Sequence, residues 1–376
     1  MGNVYVGTVS TKPAEPTPEL NVLLSWADEF ARMKVRANAD NGPDANKARS
    51  FGAVGIGLLR VEHTVLTDEL LLLNFRRMIL THDADLRRKA MNAMQPILRD
   101  HLAQVFEEMQ GLPVTIRLLD PPLHEFLPQS QEDIAKFSIE SGIGVGVIKD
   151  RLHALHEHNP MLGYRGVRLA IIQPEIVEMQ ARAIFEAAIK ARYSQSKTLL
   201  EIMVPLVSFK SELDWATRII DSTYSTMLLE GSPEVLYMTG SMIELPGACV
   251  NAAELATSAR FFSFGTNDLT QTTLGISRDD GGRFLPTYLE HELMDEDPFV
   301  SINSCVAKLM DLACASAPDL KKGVCGEHGG DPVSAAVFEK LGLDYVSCSP
   351  YRVPAARLAV AQAAIAKRKK SAHSDA

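Results

Sequence analysis

The sequence predicts an α/β fold, specifically a (β/α)8 barrel of the TIM type. Short apolar runs alternate with stretches of helical periodicity along most of the 376 residues, as in folds built from parallel strands. Eight such runs can be counted, and none is followed by the glycine-rich turn with which open sheets often bind dinucleotides. Charged or polar groups follow several runs directly. Barrel enzymes assemble their active sites in this way, at the carboxyl ends of the strands.

The strands are predicted from the apolar runs at 52–59, 113–119, 166–172, 199–207, 234–243, 261–266, 322–325 and 343–348. Helices are predicted between them, most clearly at 67–110, 175–195, 208–222, 252–259, 299–316, 332–341 and 352–368. An amphipathic helix at 21–33 precedes the first strand. The interval 61–112 is long enough for an extra helical hairpin outside the ring, after strand 1.

Two short segments flank the barrel, which is predicted to occupy residues 21–370. Residues 1–20 contain a residual strand at 3–8 and a linker with three prolines between Thr11 and Pro18. Residues 371–376 are predicted as a disordered tail. The basic residues just before this tail suit the negative end of the last helix's dipole.

Composition narrows the class of partner. The net charge of −9 and a pI near 5.6 argue against a nucleic-acid-binding surface. No apolar run reaches the ~18 residues needed to span a bilayer. The five cysteines are scattered and odd in number, which favours a reducing compartment. We therefore expect a cytoplasmic protein, or an organellar one if the chain is a fragment, that binds neither nucleic acid nor membrane.

Four arginines are candidates for binding an anionic ligand. Arg60 and Arg117 lie at the carboxyl ends of the first two runs, and Arg165 and Arg278 lie in later connections. The planar guanidinium group matches carboxylate and phosphate oxygens, so such a cluster suits a small, multiply charged anion. Pairing of each arginine with a carboxylate at the barrel rim is the alternative interpretation.

Glu244 and Asp268 are the candidate metal ligands. Each follows an apolar run, and two carboxylates from adjacent strands can share one Mg²⁺, which prefers oxygen ligands. Asn267 can donate a hydrogen bond to a ligand oxygen. A helix N-cap formed by Asn267 or Asp268 is the alternative, although it leaves Glu244 unexplained.

The run Gly323-Val324-Cys325-Gly326 places a single thiol at the end of a predicted buried strand. Neighbouring glycines allow the backbone to approach a ligand closely, which makes Cys325 a candidate acid/base or nucleophile. His328 lies in the same turn and is a further functional candidate.

These motifs together resemble the phosphoenolpyruvate-utilising enzymes, over residues 30–365. The segment Thr115–Pro128 and the run from Cys325 to Gly330 are most similar to the barrel of the pyruvate phosphate dikinases within that family. The sequence departs from the family pattern at Leu59, Tyr164 and Gly247, where Cys, His and Arg are common. Residues 3–18 resemble the last strand and linker of the family's phosphohistidine domain.

The resemblance implies a role for each matching position. Arg60 and Arg117 would hold the carboxylate or phosphate of phosphoenolpyruvate (PEP), Glu244 and Asp268 would bind Mg²⁺, and Cys325 would be the acid/base at the methyl carbon. Further substrate contacts are implied at Arg165, Gly265, Thr266, Asn267 and Arg278, those of Gly265 and Thr266 largely through the backbone.

The implied reaction is phosphoryl transfer between a phosphohistidine and pyruvate, through a Mg²⁺-stabilised enolate. The phosphohistidine would belong to a domain in cis or trans, because the sequence contains no such motif and no nucleotide-binding loop. The family also implies a homodimer. Two alternatives remain open at this point: a stand-alone barrel that binds PEP for regulation, and phosphotransfer from PEP to a carrier protein.

Overall fold

The computed structural model describes residue 7 and residues 17–157, 159–193 and 200–374. Eight parallel strands close into a barrel in which each strand pairs with its neighbours in sequence and the last pairs with the first. The strands are β1 Lys34–Asn38, β2 Ile56–Arg60, β3 Val114–Arg117, β4 Leu200–Val204, β5 Tyr237–Ile243, β6 Phe261–Phe264, β7 Lys321–Val324 and β8 Tyr345–Cys348. The predicted (β/α)8 fold is confirmed.

Helices surround the barrel and cover its outer face. They are α1 Pro18–Phe30, α2 Gly42–Ser50, α3 Val61–Thr67, α4 Glu69–Leu80, α5 Ala84–Glu108, α6 Leu123–Phe126, α7 Gln131–Ser141, α8 Val145–Ala154, α9 Gly166–Ile172, α10 Pro174–Lys190, α11 Lys210–Leu229, α12 Pro246–Val250, α13 Ala252–Leu255, α14 Thr266–Leu274, α15 Arg278–Gly281, α16 Leu285–Glu290, α17 Ser304–Ser316, α18 Pro332–Leu341 and α19 Val353–Ser374. Short 3₁₀ turns lie at Pro160–Leu162, Glu327–Gly330 and Pro350–Arg352.

Two elements differ from the prediction. Strand β1, at 34–38, was not predicted, and the run 166–172, predicted as a strand, is the helix α9. A short apolar run does not distinguish a buried strand from a buried helix, because both conceal every side chain. Because β1 precedes it, the run 52–59 that was predicted as strand 1 contains most of the second strand, β2. The extra helices predicted after strand 1 therefore follow β2. Three helices, α3 to α5, lie between β2 and β3, two more than the single helix of a minimal barrel unit, and α4 and α5 pack against each other.

Strand β1 escaped prediction because it carries a charge into the barrel. Arg36 is 4% exposed, and its Nη1 donates to Glu201 Oε2 at 2.7 Å and to Thr115 Oγ1 at 3.2 Å. Lys321 also pairs with Glu201, and the Arg36 guanidinium lies 4.1 Å from the ring centroid of Tyr345. Buried charges persist when they are paired in this way. The pattern of a buried strand is therefore hidden in the sequence.

The segments predicted to flank the barrel, 1–20 and 371–376, are described only in part. Apart from Gly7, the residual strand and most of the linker predicted within 1–20 lie outside the described residues, and α1 begins at Pro18. Helix α19 extends through Ser374, into the predicted tail 371–376, whose last two residues are also outside the described part. Among the described helices, none combines the length and apolar character needed to cross a membrane.

Candidate active site

A cavity of about 220 Å³ opens at the carboxyl ends of the strands. Its lining contains three arginines and six carboxylates: Arg60, Arg117 and Arg165, with Glu62, Asp120, Glu125, Glu244, Asp268 and Glu327. Cys325, Asn267 and Gly265 also line it. The cavity therefore brings together most of the site residues predicted from the sequence. Because the carboxylates outnumber the arginines, the charges of the lining repel an anion unless a cation enters with it.

Arg60 and Arg117 are the last residues of β2 and β3, which sets both guanidinium groups at the cavity. Arg60 donates from Nη2 to Asp40 Oδ2 at 3.1 Å, while its Nε is buried without a partner. Arg117 pairs with Glu62, and its Nη1 lies 3.5 Å from Asp120 Oδ2. Burial would lower the pKa of Arg117, but the surrounding carboxylates outweigh it, so Arg117 remains charged.

Arg165 links the arginines to the carboxylates. It precedes α9 as its N-cap and binds Asp120 with two parallel hydrogen bonds, Nε to Oδ1 at 2.7 Å and Nη2 to Oδ2 at 2.6 Å. The same Nη2 donates to Asp268 Oδ2 at 3.1 Å. Each of these three arginines has a carboxylate partner, as the rim-pairing interpretation expects. All three also line the cavity, as binding of an anion requires.

Asp120, Glu244 and Asp268 form a carboxylate cluster whose ligand atoms lie within 4.8 Å of one another. Glu244 is 1% exposed, and its Oε1 accepts a hydrogen bond from the Leu206 N–H at 2.7 Å. Burial, together with the charges of Asp268 and Asp120, raises the pKa of Glu244 to about 8. A hard divalent cation between these oxygens would relieve that repulsion, so the donor set fits such a cation.

The turn after β6 supplies the next three predicted residues. Helix α14 has Gly265 as its N-cap, with no side-chain hydrogen bond there, so the capping alternative for Asn267 and Asp268 does not apply. Asn267 Oδ1 accepts from the Glu327 N–H at 3.0 Å, which directs the remaining amide NH₂ group to other partners. Thr266 faces the core, since its Oγ1 lies 2.8 Å from His328 Nδ1.

His328 is buried, and the Pro298 carbonyl lies 2.8 Å from its Nε2. This contact requires a proton on Nε2, which leaves Nδ1 to accept from the Thr266 hydroxyl. Burial lowers the pKa of His328 and keeps the ring neutral. His328 does not line the cavity and instead holds the Thr266 turn in place.

Gly265 is required by the closeness of its neighbours. A Cβ at this position would lie 2.5 Å from Met242 Cε and 2.8 Å from Glu244 Oε2. We expect Gly265→Ala to lower the free energy of unfolding by ~1–3 kcal/mol, because the core would be overpacked. Gly247→Ala is the matched control, since its Cβ would meet nothing nearer than Ser208 Oγ at 3.6 Å, and it should change stability by less than ~0.5 kcal/mol. Urea denaturation measures the free energy of unfolding of both variants. Equal losses of stability would contradict the view that close packing requires glycine at position 265.

Cys325 directly follows β7 and is 3% exposed. Its backbone is held on two sides, because its N–H donates to the Phe264 carbonyl at 3.1 Å and its own carbonyl accepts from Asn38 Nδ2 at 3.1 Å. Burial raises the pKa of the thiol to about 11, and the nearby charge of Glu244 adds to this effect. Without a bound cation, Cys325 is therefore a protonated thiol on the cavity floor.

Arg278, like Thr266, is a predicted site residue that does not line the cavity. It begins α15 with its side chain exposed, and its backbone N–H donates to Gln271 Oε1 at 2.6 Å. Gln271 in turn donates to Asp268 Oδ1 at 3.2 Å. Of the positions that depart from the family pattern, Tyr164 accepts from Gln173 at 3.2 Å and Gly247 is the second residue of α12.

Sequence reasoning missed the three acidic residues that pair with the arginines of the site: Asp40, Glu62 and Asp120. Asp120 follows Arg117 by three residues at the end of a predicted strand, so the rule that identified Glu244 and Asp268 would have found it. Glu62 lies two residues after Arg60, at the start of α3. Asp40 was concealed because β1 itself was not predicted.

Comparison with known proteins places these residues in context. The family model of the PEP-utilising enzyme, PEP-binding domain, matches residues 15–365. The chain is 49% identical to a pyruvate, phosphate dikinase of Rhizobium meliloti, with 97% of this chain and 41% of that protein aligned. For a chloroplastic pyruvate, phosphate dikinase of Mesembryanthemum crystallinum the identity is 46%, over 96% and 39% of the two chains. For a pyruvate, phosphate dikinase of Clostridium symbiosum it is 42%, over 97% and 42%. The chain thus spans about two fifths of these relatives.

Proposed function

The chain belongs to the PEP-utilising enzymes, and we propose that its barrel interconverts pyruvate and PEP by exchanging a phosphoryl group with a phosphohistidine. The phosphohistidine would lie on a separate domain, in cis or in trans, because the chain corresponds to only part of its relatives. One observation supports the proposal above the others. A buried thiol, three arginines and a carboxylate cluster face the same small cavity.

The arginines would bind the charged ends of the substrate. Arg60 has a buried Nε without a partner, and Arg117 has a second such Nε. A buried donor without a partner costs free energy, so a phosphate or carboxylate oxygen at either group would be stabilised. We propose that Arg278 joins them by turning inward when an anion is bound, since Gln271 connects its backbone to Asp268.

Glu244 and Asp268 would hold Mg²⁺, with Asp120 beside them. The excess of carboxylates in the lining means that a cation must accompany an anionic substrate. When bound, Mg²⁺ supplies stabilisation of the negative charge that develops on the substrate oxygen. Asn267, through its free NH₂ group, would orient a substrate oxygen, and the backbone of Gly265 and Thr266 would line the same side.

Cys325 would move the proton at the methyl or methylene carbon. Its raised pKa keeps it protonated, which suits donation to that carbon when pyruvate is formed. In the opposite direction it must accept the proton, and the positive charges of Arg60 and Arg117 lower its pKa toward that role. The thiol therefore argues for catalysis rather than for PEP sensing alone.

Calorimetry of the purified chain with PEP tests the proposal. We expect binding with Mg²⁺ or Mn²⁺ and none in the presence of a chelator, because the lining repels an unaccompanied anion. Equal binding with and without the divalent cation would contradict it, and so would no binding in either condition.

Two further proposals concern the oligomeric state and the location of the protein. The barrel would form a homodimer, so a monomeric mass at micromolar concentration would count against it. A cytoplasmic location is proposed separately from the five free cysteines, which favour a reducing compartment. Among the relatives, the Mesembryanthemum protein is described as chloroplastic.

A further inference from the structure

The floor of the cavity is apolar and buried, whereas most of the remaining lining is charged or polar. Leu58, Met242 and Cys325 line the cavity there and are 4%, 4% and 3% exposed. They belong to a small cluster with Met203 and Phe261 that is separate from the main core. A ligand that is charged at its other groups therefore meets a buried apolar surface at the floor.

The proposed reaction decides which part of the ligand faces this floor. Cys325 can transfer a proton only to an atom it touches, and that atom is the C3 carbon of pyruvate or PEP. The carboxylate and the phosphoryl group must then point toward the arginines and the carboxylate cluster. The C3 carbon is left against Leu58 and Met242.

Met242 has little freedom to retreat from a larger substrate. Its methyl group lies beside Gly265, so closely that a Cβ there would be 2.5 Å away. Its sulfur lies 3.8 Å from Arg117 Nη1. Its cluster neighbours Met203 and Phe261 are fully buried. Displacing the side chain would thus disturb a packed core.

We propose that Met242, with Leu58, determines substrate specificity by limiting the C3 position of a 2-oxo acid to a methyl or methylene group. The inference rests on the proposed function and adds its size limit. The nearest larger substrate is 2-oxobutyrate, which carries one more methyl group on C3. One extra carbon at a rigid apolar surface changes affinity about 10–200-fold.

The test measures three affinities by calorimetry in the presence of Mg²⁺: those of pyruvate, 2-oxobutyrate and oxalate. Oxalate offers the same chelating oxygens but has no C3 substituent, so it reports whether the site is intact. The wild type should bind pyruvate at least ~10-fold more tightly than 2-oxobutyrate, and Met242→Ala should reduce that ratio by ~10-fold. Oxalate affinity should stay within about twofold in every variant.

Met203→Ala is the matched control, since Met203 lies in the same cluster but does not line the cavity. Its pyruvate to 2-oxobutyrate ratio should equal that of the wild type. Leu58→Ala provides a second variant should Met242→Ala fail to bind oxalate. A ratio unchanged from wild type in the variants that still bind oxalate would overturn the inference. If the wild type itself does not bind oxalate with Mg²⁺, the proposed function fails and the size limit with it.

Discussion

Glu244→Gln should reduce metal-dependent PEP binding by more than ~100-fold, since even partners outside the ligand set contribute 10–100-fold to metal affinity. The substitution removes one anionic oxygen from the carboxylate cluster and leaves Asp120 and Asp268. Fold should be retained, because the environment already favours the neutral form of Glu244, whose pKa is raised to about 8. Glutamine preserves that neutral shape and can still accept from the Leu206 N–H.

Calorimetry with PEP and Mg²⁺ measures the effect, and Glu125→Gln is the matched control. Glu125 lines the same cavity but is not part of the carboxylate cluster, so its loss should leave the metal requirement unchanged. Asp268→Asn should behave as Glu244→Gln does. Unchanged PEP affinity in both Glu244→Gln and Asp268→Asn would overturn the assignment of these residues as metal ligands.

The barrel was predictable because seven of its strands are apolar runs separated by helical periodicity. The failure at β1 has a specific cause. Arg36 is stabilised by Glu201 from β4, and a single sequence does not show which charges will meet inside a closed sheet. The error at 166–172 is of the opposite kind. Helix α9 is buried on most sides, and its apolar run resembles that of an interior strand.

The site residues were predictable where a charged or reactive side chain comes directly after a strand. Arg60, Arg117, Glu244, Asp268 and Cys325 all lie within a few residues of a strand's carboxyl end, so barrel geometry brings them together. Their charge partners were harder to recognise. Asp40 and Glu62 act through contacts with arginines of other segments, and those contacts are tertiary. Arg278 lies on a connection after β6, and its place depends on how that connection folds.

Exchange of the pyruvate methyl protons with deuterated water should fall at least ~100-fold in Cys325→Ser. Formation of the enolate requires the arginines, the divalent cation and the thiol, but no phosphohistidine. The wild-type chain should therefore catalyse exchange when Mg²⁺ and inorganic phosphate are present. Serine is nearly isosteric, yet its hydroxyl has a pKa several units above that of a thiol. The Cys325→Ser variant should therefore bind pyruvate normally but transfer the proton at the methyl carbon poorly.

Proton NMR follows the exchange, and calorimetry with pyruvate shows that the site is intact. Cys348→Ser is the matched control, because Cys348 is also buried at a strand end but does not line the cavity. Its exchange rate should match the wild type. Exchange that continues undiminished in Cys325→Ser would exclude the thiol as the proton carrier. A loss of exchange in both variants would instead indicate a general effect of replacing buried thiols. Loss in Cys325→Ser alone, with pyruvate still bound, distinguishes a catalytic barrel from one that only senses PEP, because sensing requires no proton transfer at C3.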